Sequence, residues 1–286
     1  MKWIEINKRH NMKELNVEQL KKIQLDILLE VDKWCKEHNV KYFLDCGTLI
    51  GAIRHKGYIP WDDDVDISML REDYEMFIRD FNKNRNDNLE VMHARTHKGF
   101  PYEFAKVQNK NTKMIENYAC QYDIGINIDI FPYDYLASTK EEAVERSNKL
   151  IKKYRFPEFA FEWKLTVSNR DKKRPLHKAI MVDLFKLITS PFSIDWCTHK
   201  IDSLATTYYN KDYNYLSGTC SRRYSGKEFY KREWLKDTVD IEFEGYTLQA
   251  PCNSDMVLRT QFGDYMQLPP ENERVSHHEF KAYVLD

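Results

Sequence analysis

Four aspartates stand within five residues of this sequence, in the run Asp62-Asp63-Asp64-Val65-Asp66, and apolar residues flank them on both sides. If the run is a β-strand, Asp62, Asp64 and Asp66 share one face, with successive residues about 6.6 Å apart. Carboxylates so placed can bind one hard divalent cation, Mg²⁺ or Mn²⁺, which in proteins often takes one or two carboxylates plus the phosphates of a substrate. The pattern therefore predicts a metal site, with a solvated acidic turn as the alternative.

A further acid, Asp129, lies in the short alternating run Asn127-Ile128-Asp129-Ile130-Phe131. On its own it fits a surface residue of an edge strand. Because alternate side chains of a strand point to one face, it can also reach the metal site from a neighbouring strand. We expect the second arrangement.

Two features upstream of the acids are suited to binding phosphate. Gly47-Thr48 leaves a predicted strand and opens a short helix, where backbone N–H groups and the Thr48 hydroxyl can hold an anion. No Gly-Lys-Ser/Thr follows, so this is not a Walker A loop. Arg54 carries a guanidinium that can grip two phosphate oxygens, with a salt bridge to the acidic strand as the alternative. Lys106 is a further candidate for phosphate contact.

Helices are predicted from capping signals and from a 3.6-residue periodicity. Asn16 and Gln19 have the spacing of a capping box, and the helix that they begin should run to about His38. Thr139 and Glu142 form a similar box. Further helices are predicted after residue 71, over most of residues 156–210, and from Ser254 to Gly263.

Strands are predicted at residues 40–45, 62–69, 89–94, 103–108 and 127–131. Glu244-Gly245 is typical of the two-residue turn of a hairpin, here between residues 239–243 and 246–248. The order of elements indicates a mixed α/β or α+β fold, with a mixed sheet flanked by helices and an additional helical region in the middle of the chain.

The composition excludes some classes of function. The 286 residues carry 44 Lys and Arg against 45 Asp and Glu, and this balance argues against dedicated nucleic-acid binding. No apolar run is long enough to span a bilayer, and the polar residues 1–15 contain no signal-peptide core, which predicts a cytoplasmic protein. The six cysteines include no C-x-x-C pair, so we expect them to be reduced and not to bind zinc.

Residues 44–67, LDCGTLIGAIRHKGYIPWDDDVDI, closely resemble the LicD family, which also includes the fukutin-type proteins. Three later blocks resemble further motifs of that family in the same order: Lys106 with Asn111-Thr112, residues 127–132, and residues 262–270 followed by Arg274 and His277. The resemblance implies a nucleotidyltransferase-like fold. It further implies a single LicD-type catalytic domain over residues 1–286, with residues 156–210 as a helical insertion or subdomain.

The resemblance also implies an activity, the transfer of a phosphorylated alcohol from a CDP-linked donor to a hydroxyl of a cell-surface glycan, with release of CMP. Phosphocholine from CDP-choline is the expected case, and teichoic acid, lipopolysaccharide or a capsule precursor is the expected acceptor. Two alternatives remain open: transfer of ribitol or glycerol phosphate from a CDP-polyol, and a nucleotidyltransferase that acts on a small molecule and releases pyrophosphate.

The family motifs assign roles to the candidate residues. Asp64 and Asp66 would hold Mg²⁺ or Mn²⁺, with Asp62 as an additional ligand, and Asp129 would either complete the metal site or accept a proton from the attacking hydroxyl. The residues expected to contact the substrates are Gly47, Thr48, Arg54, Lys106 and His277.

One apolar segment, residues 179–188, is hydrophobic on most sides. We expect a buried helix there. The alternative is a helix that contacts the membrane surface, which would suit a lipid-linked glycan acceptor and would place the protein at the inner face of the membrane.

Overall fold

The computed structural model describes residues 12–83, 88–116, 122–166, 175–218, 228–275 and 280–285. Within these ranges the helices are α1 (Val17–His38), α2 (Cys46–His55), α3 (Arg71–Asp80), α4 (Lys140–Leu165), α5 (Leu176–Thr189), α6 (Ile194–Ala205), α7 (Arg232–Leu235) and α8 (Ser254–Phe262). The strands are β1 (Met12–Glu14), β2 (Phe43–Leu44), β3 (Asp66–Leu70), β4 (Leu89–Met92), β5 (Ala105–Asn109), β6 (Thr112–Glu116), β7 (Asn127–Ala137), β8 (Tyr215–Ser217), β9 (Tyr230–Lys231), β10 (Thr238–Phe243), β11 (Tyr246–Pro251) and β12 (Phe280–Leu285). The fold is mixed α and β, as predicted.

The central sheet has the strand order β2-β3-β7-β5-β4. β3 and β7 run parallel, whereas the other neighbours on this path are antiparallel. The register sets Asp66 of β3 opposite Asp129 of β7, and Asp129 opposite Lys106 of β5. Three of the predicted site residues therefore stand in one row across the three middle strands.

The two predicted strands next to the acidic run are much shorter than expected. The strand expected at residues 40–45 contains only β2, because Asp45 leaves the sheet to cap α2. The acidic run was expected to be a strand throughout, but β3 begins at Asp66. Upstream of it, the carbonyl of Asp63 accepts a hydrogen bond from the side-chain amide of Gln24 at 3.0 Å, so α1 rather than a neighbouring strand holds this part of the run.

Capping signals locate the ends of the helices well. Asn16 and Gln19 form the predicted reciprocal box, and α1 ends at His38 as predicted. At α8 the predicted cap is wrong by one residue. The side chain of Asn253, rather than that of Ser254, accepts a free backbone N–H of the first turn.

The predicted hairpin is present in β10 and β11, with Glu244 and Gly245 as its turn. Both turn residues have positive φ, 50° and 80°, as a type I′ turn requires. The Glu244 carboxylate accepts the backbone N–H of Tyr58 at 3.0 Å, and a Cβ on Gly57 would come within 2.0 Å of the same oxygen. The turn therefore packs against the loop that leads from α2 to the acidic run.

The middle of the chain folds into α4, α5 and α6, so the region predicted to be helical contains the end of α4 and the two helices after it. The expectation of a buried helix at residues 179–188 is wrong. In α5 only Val182 and Thr189 are buried. Phe185 packs its ring against aromatic side chains of α4, whereas the other large apolar side chains of the helix are exposed. No helix of the described ranges combines the length and the apolar character needed to cross a membrane. The division into domain and insertion stays a prediction.

A buried ion pair joins α3 to the sheet. Arg71 donates to both carboxylate oxygens of Asp134 at 2.6 and 2.9 Å, and both side chains are fully buried. Arg71 also contacts Glu75 and Asp202 of α6, and Arg95 bridges the same two acids. The network thus connects the helical region to the sheet.

Replacing Arg71 with methionine is expected to lower the free energy of unfolding by about 3–5 kcal/mol, because Asp134 would lose its guanidinium partner in a buried position. Urea unfolding followed by circular dichroism measures this loss. Arg79→Met is the control, since Arg79 pairs with Asp80 in solvent and its loss should leave the unfolding midpoint unchanged. Equal losses in the two variants would contradict the role given to the buried pair.

Candidate active site

The predicted site residues gather where β3 begins, beside the N-terminus of α2. Two backbone hydrogen bonds fix this junction. The N–H of Asp129 donates to the carbonyl of Val65 at 2.9 Å, and the N–H of Asp45 donates to the carbonyl of Asp66 at 3.1 Å. Asp129 belongs to a strand with neighbours on both sides, so the alternative of an edge-strand surface residue is wrong.

Exposure alternates along the acidic run even where it is not a strand. Asp62, Asp64 and Asp66 are partly exposed, whereas Asp63 and Val65 are buried. The three predicted metal ligands are thus the members of the run that reach solvent. A fully solvated acidic turn, the alternative reading, would not bury two of the five residues.

Negative charge is concentrated around Asp66. Burial raises the pKa of its carboxyl group well above the usual range, and the carboxylates of Asp64, Asp129, Asp45 and Asp62 raise it further. The acids are therefore close enough to repel one another strongly. A bound cation would relieve this repulsion.

The donor set fits a hard cation in its chemistry, although it is not a complete ligand cage. Within the described residues, no three Asp, Glu, His or Cys side chains are arranged to ligate one ion. Mg²⁺ commonly uses one or two carboxylates, several waters and the phosphates of a substrate. The carboxylates of Asp64 and Asp66 would suit a Mg²⁺ ion of this kind, with Asp62 beside them, and the metal site stays a prediction.

Gly47 and Thr48 lie directly beside these acids. A Cβ on Gly47 would come within 2.5 Å of the Asp62 carboxylate, so only glycine leaves that oxygen undisturbed. The Thr48 hydroxyl is buried and accepts the backbone N–H of Asp66 at 2.9 Å. Thr48 therefore positions Asp66, and its predicted contact with a phosphate stays a prediction.

Arg54 lies at the C-terminal end of α2 and makes no ion pair with residues 62–66, so the salt-bridge alternative is wrong. One guanidinium nitrogen, Nη1, donates to the carbonyl of Tyr265 at 2.8 Å, and the buried Nε has no partner within the described residues. Burial and the nearby guanidinium of Arg274 lower the pKa of Arg54. Arg274 lies over the ring of Trp61 at 5.6 Å. Two arginines so close together favour an anion between them.

Lys106 forms an ion pair with Asp129 and also donates to the side chain of Asn127 at 3.1 Å. Its ammonium group lies 4.3 Å from the centre of the Tyr102 ring. The side chain is buried, so one cation of the protein itself is fixed at the edge of the acidic cluster. The phosphate contact predicted for Lys106 stays a prediction, as do both roles of Asp129.

This chain is similar to known proteins. The family model described as "LicD/FKTN/FKRP, nucleotidyltransferase domain" matches residues 39–163. The lipopolysaccharide cholinephosphotransferase LicD of Haemophilus influenzae is 29% identical over 286 residues, which cover 96% of this chain and 100% of that protein. The uncharacterized protein RP689 of Rickettsia prowazekii is 37% identical over 68 residues, 21% of this chain and 26% of that protein.

Residues 39–163 therefore match the LicD family, and the chain is similar over nearly its whole length to a protein of that name. This confirms the resemblance read from the motifs. The matched domain contains all the predicted site residues except His277, which lies outside the described residues.

Sequence reasoning missed one residue of this LicD-family site. Asp45 is buried and accepts four hydrogen bonds, from the N–H of Cys46 at 2.8 Å and from the side chains of Ser68, Tyr133 and Gln261 at 2.6, 3.0 and 2.9 Å. It thereby fixes the N-terminus of α2 against two strands and α8. An aspartate directly before a predicted helix start is an N-cap signal, and that signal was available in the sequence.

Gly47→Ala is expected to lower the activity of the LicD-family site by 10-fold to 10²-fold, because the new methyl group displaces the Asp62 carboxylate. The unfolding midpoint should change little, since the displaced atoms are the end of a flexible side chain. Gly218→Ala is the matched control, because no atom lies within 4 Å of the methyl group that it adds. Full activity in Gly47→Ala would show that the Asp62 position is not needed.

Asp66→Asn is expected to raise the melting temperature of the metal-free protein at neutral pH, because an amide avoids the cost of either protonating Asp66 or ionising it beside the other carboxylates. The sign follows from the raised pKa. The native state holds a proton that the unfolded chain has already lost, so wild-type stability falls as the pH rises above about 4, the ordinary Asp value. Thermal melts between pH 4 and 8 measure both effects. A lower melting temperature in the variant at pH 8 would contradict the repulsion.

Proposed function

We propose that this chain transfers phosphocholine from CDP-choline to a hydroxyl of a cell-surface glycan and releases CMP, with Mg²⁺ or Mn²⁺ at Asp64 and Asp66. The observation that carries the proposal is the row of Asp66, Asp129 and Lys106 beside the Gly47-Thr48 helix start. The Haemophilus relative, aligned over its full length, is named for cholinephosphate transfer to lipopolysaccharide. Lipopolysaccharide is accordingly the first acceptor to test, ahead of teichoic acid and capsule precursors.

The residues divide the work of the transfer. Asp64 and Asp66, with Asp62, would hold the ion, whose positive charge would offset the negative charge of the donor phosphates and of the leaving CMP. Arg54 would bind a phosphate through the Nε group that has no partner among the described residues, and Arg274 would add a second guanidinium from the other side.

In the transfer itself, the oxygen of the glycan hydroxyl forms a bond to the phosphorus that carries choline. The bond from that phosphorus to the oxygen of CMP breaks, and CMP leaves with the electron pair. The proton of the hydroxyl passes to a base. Asp129 is one candidate for this base, and its alternative role is that of a further metal ligand. Lys106 forms an ion pair with its carboxylate.

CMP release tests the proposal. The purified chain is incubated with Mg²⁺ and CDP-choline, CDP-ribitol or CDP-glycerol, with and without lipopolysaccharide or teichoic acid. CMP formed from CDP-choline only with glycan is the expected result, with a loss of at least 10³-fold in Asp64→Asn/Asp66→Asn. Asp212→Asn, at an exposed aspartate outside the site, should retain wild-type activity.

Other outcomes of this experiment would assign a different activity to the chain. CMP from a CDP-polyol alone would make it a polyol-phosphate transferase. Pyrophosphate release from a nucleoside triphosphate, without CMP from any donor, would contradict the proposal and identify a nucleotidyltransferase. The proposal also places the chain in the cytoplasm, at the inner face of the membrane where a lipid-linked acceptor is exposed.

A further inference from the structure

Helix α5 exposes more large apolar surface than any other described helix of the chain. Three of its residues expose at least 60% of their surface: Leu176 at 77%, Leu187 at 70% and Ile180 at 60%. Met181, Leu184 and Ile188 are also exposed. Scattered single apolar residues are normal on a protein surface, but six on one 14-residue helix are not.

The six side chains lie on one side of α5. At 100° per residue they span an arc of about 140°, and Val182 and Thr189, the two buried residues, lie on the opposite side. His177 falls within the arc, and it is exposed too. The helix therefore has one side packed on the protein and one broad apolar side turned to solvent.

The two helices that pack together here carry an excess of basic residues. From Lys152 to the end of α4, and along α5, six basic residues outnumber three acidic ones: Lys152, Lys153, Arg155, Lys164, Lys178 and Lys186 against Glu158, Glu162 and Asp183. The whole chain carries a formal charge of −1, so this excess of positive charge is local. Lys164 lies at the end of α5, where its ammonium donates to the carbonyl of Ser190 at 3.3 Å.

We propose that α5 lies in the interface of an anionic lipid bilayer, with its apolar side among the upper acyl chains and the basic residues of α4 and α5 at the headgroups. An amphipathic helix with a basic flank is the type of element that binds a membrane in this way. Its 14 residues extend over about 21 Å, too short to cross the hydrocarbon core. The proposal rests on the proposed function in one respect: the membrane contact would bring the site to a lipid-linked acceptor.

A second copy of the chain is less well suited than a bilayer to cover this surface. A symmetric dimer would place the same basic excess on both sides of the interface, where like charges repel. An anionic lipid surface instead complements that charge. The charge pattern thus favours the bilayer.

Sedimentation with lipid vesicles tests the contact. The full chain is mixed with vesicles of phosphatidylcholine and phosphatidylglycerol at 7:3, or of phosphatidylcholine alone. Wild type should bind the anionic vesicles, and Leu184→Ser/Leu187→Ser should bind them at least 10-fold more weakly. Val144→Ser/Val239→Ser is the matched control, since it removes two exposed apolar residues elsewhere and should bind like wild type. Far-UV circular dichroism checks that all variants are folded.

Three results would overturn the proposal. The first is that wild type does not bind anionic vesicles, and the second is that both double variants lose vesicle binding equally. The third is that wild type forms dimers, which Leu184→Ser/Leu187→Ser converts to monomers, and binds no vesicles. The last result would assign α5 to an interface between copies. CMP release with a delipidated, soluble acceptor should be the same in wild type and in the α5 variant. Its absence in both would contradict the proposed function and leave the vesicle result to stand on its own.

Discussion

The carboxylate of Asp66 faces those of Asp64, Asp129 and Asp62 at the start of a buried strand, and the fold must hold these charges together against their repulsion. It does so with backbone and neutral contacts. The Thr48 hydroxyl holds the N–H of Asp66, and the pairing of β3 with β7 sets the separation of the two strands. Because Asp66 and Asp129 lie opposite each other in paired strands, these two residues cannot move apart without breaking the sheet, and a bound cation would relieve the repulsion between their carboxylates.

Positive charge is placed around this cluster unevenly. Lys106 neutralises Asp129 from within the sheet, whereas Arg54 and Arg274 approach each other outside the acidic run. The site therefore presents an acidic region and a basic region side by side. The diphosphate of the proposed donor would suit both regions, since its oxygens could contact a bound ion on one side and the guanidinium groups on the other.

Local signals predicted the parts of the fold that depend on neighbouring residues. The Asn16 box and the Glu244-Gly245 turn are confirmed because their hydrogen bonds and φ angles lie within the segment itself. The motif around Gly47 and Asp66 predicted that these residues lie together, because they are close in sequence. The exposure of α5 was not predictable, because an apolar composition does not determine which side of a helix is covered by neighbouring elements. The four bonds of Asp45 were missed for a related reason, since three of them come from distant segments.

The bond from Gln261 to Asp45 and that from Arg54 to the carbonyl of Tyr265 join residues that are 216 and 211 positions apart. A ribosome releases the acidic run long before it makes α8, and domains begin to fold from the N-terminal side during synthesis. The nascent chain thus carries its carboxylates without the contacts that fix α2 behind them. The site is completed only after α8 has been synthesised, so a chain truncated before α8 keeps the acidic motif but lacks two of the contacts that position α2.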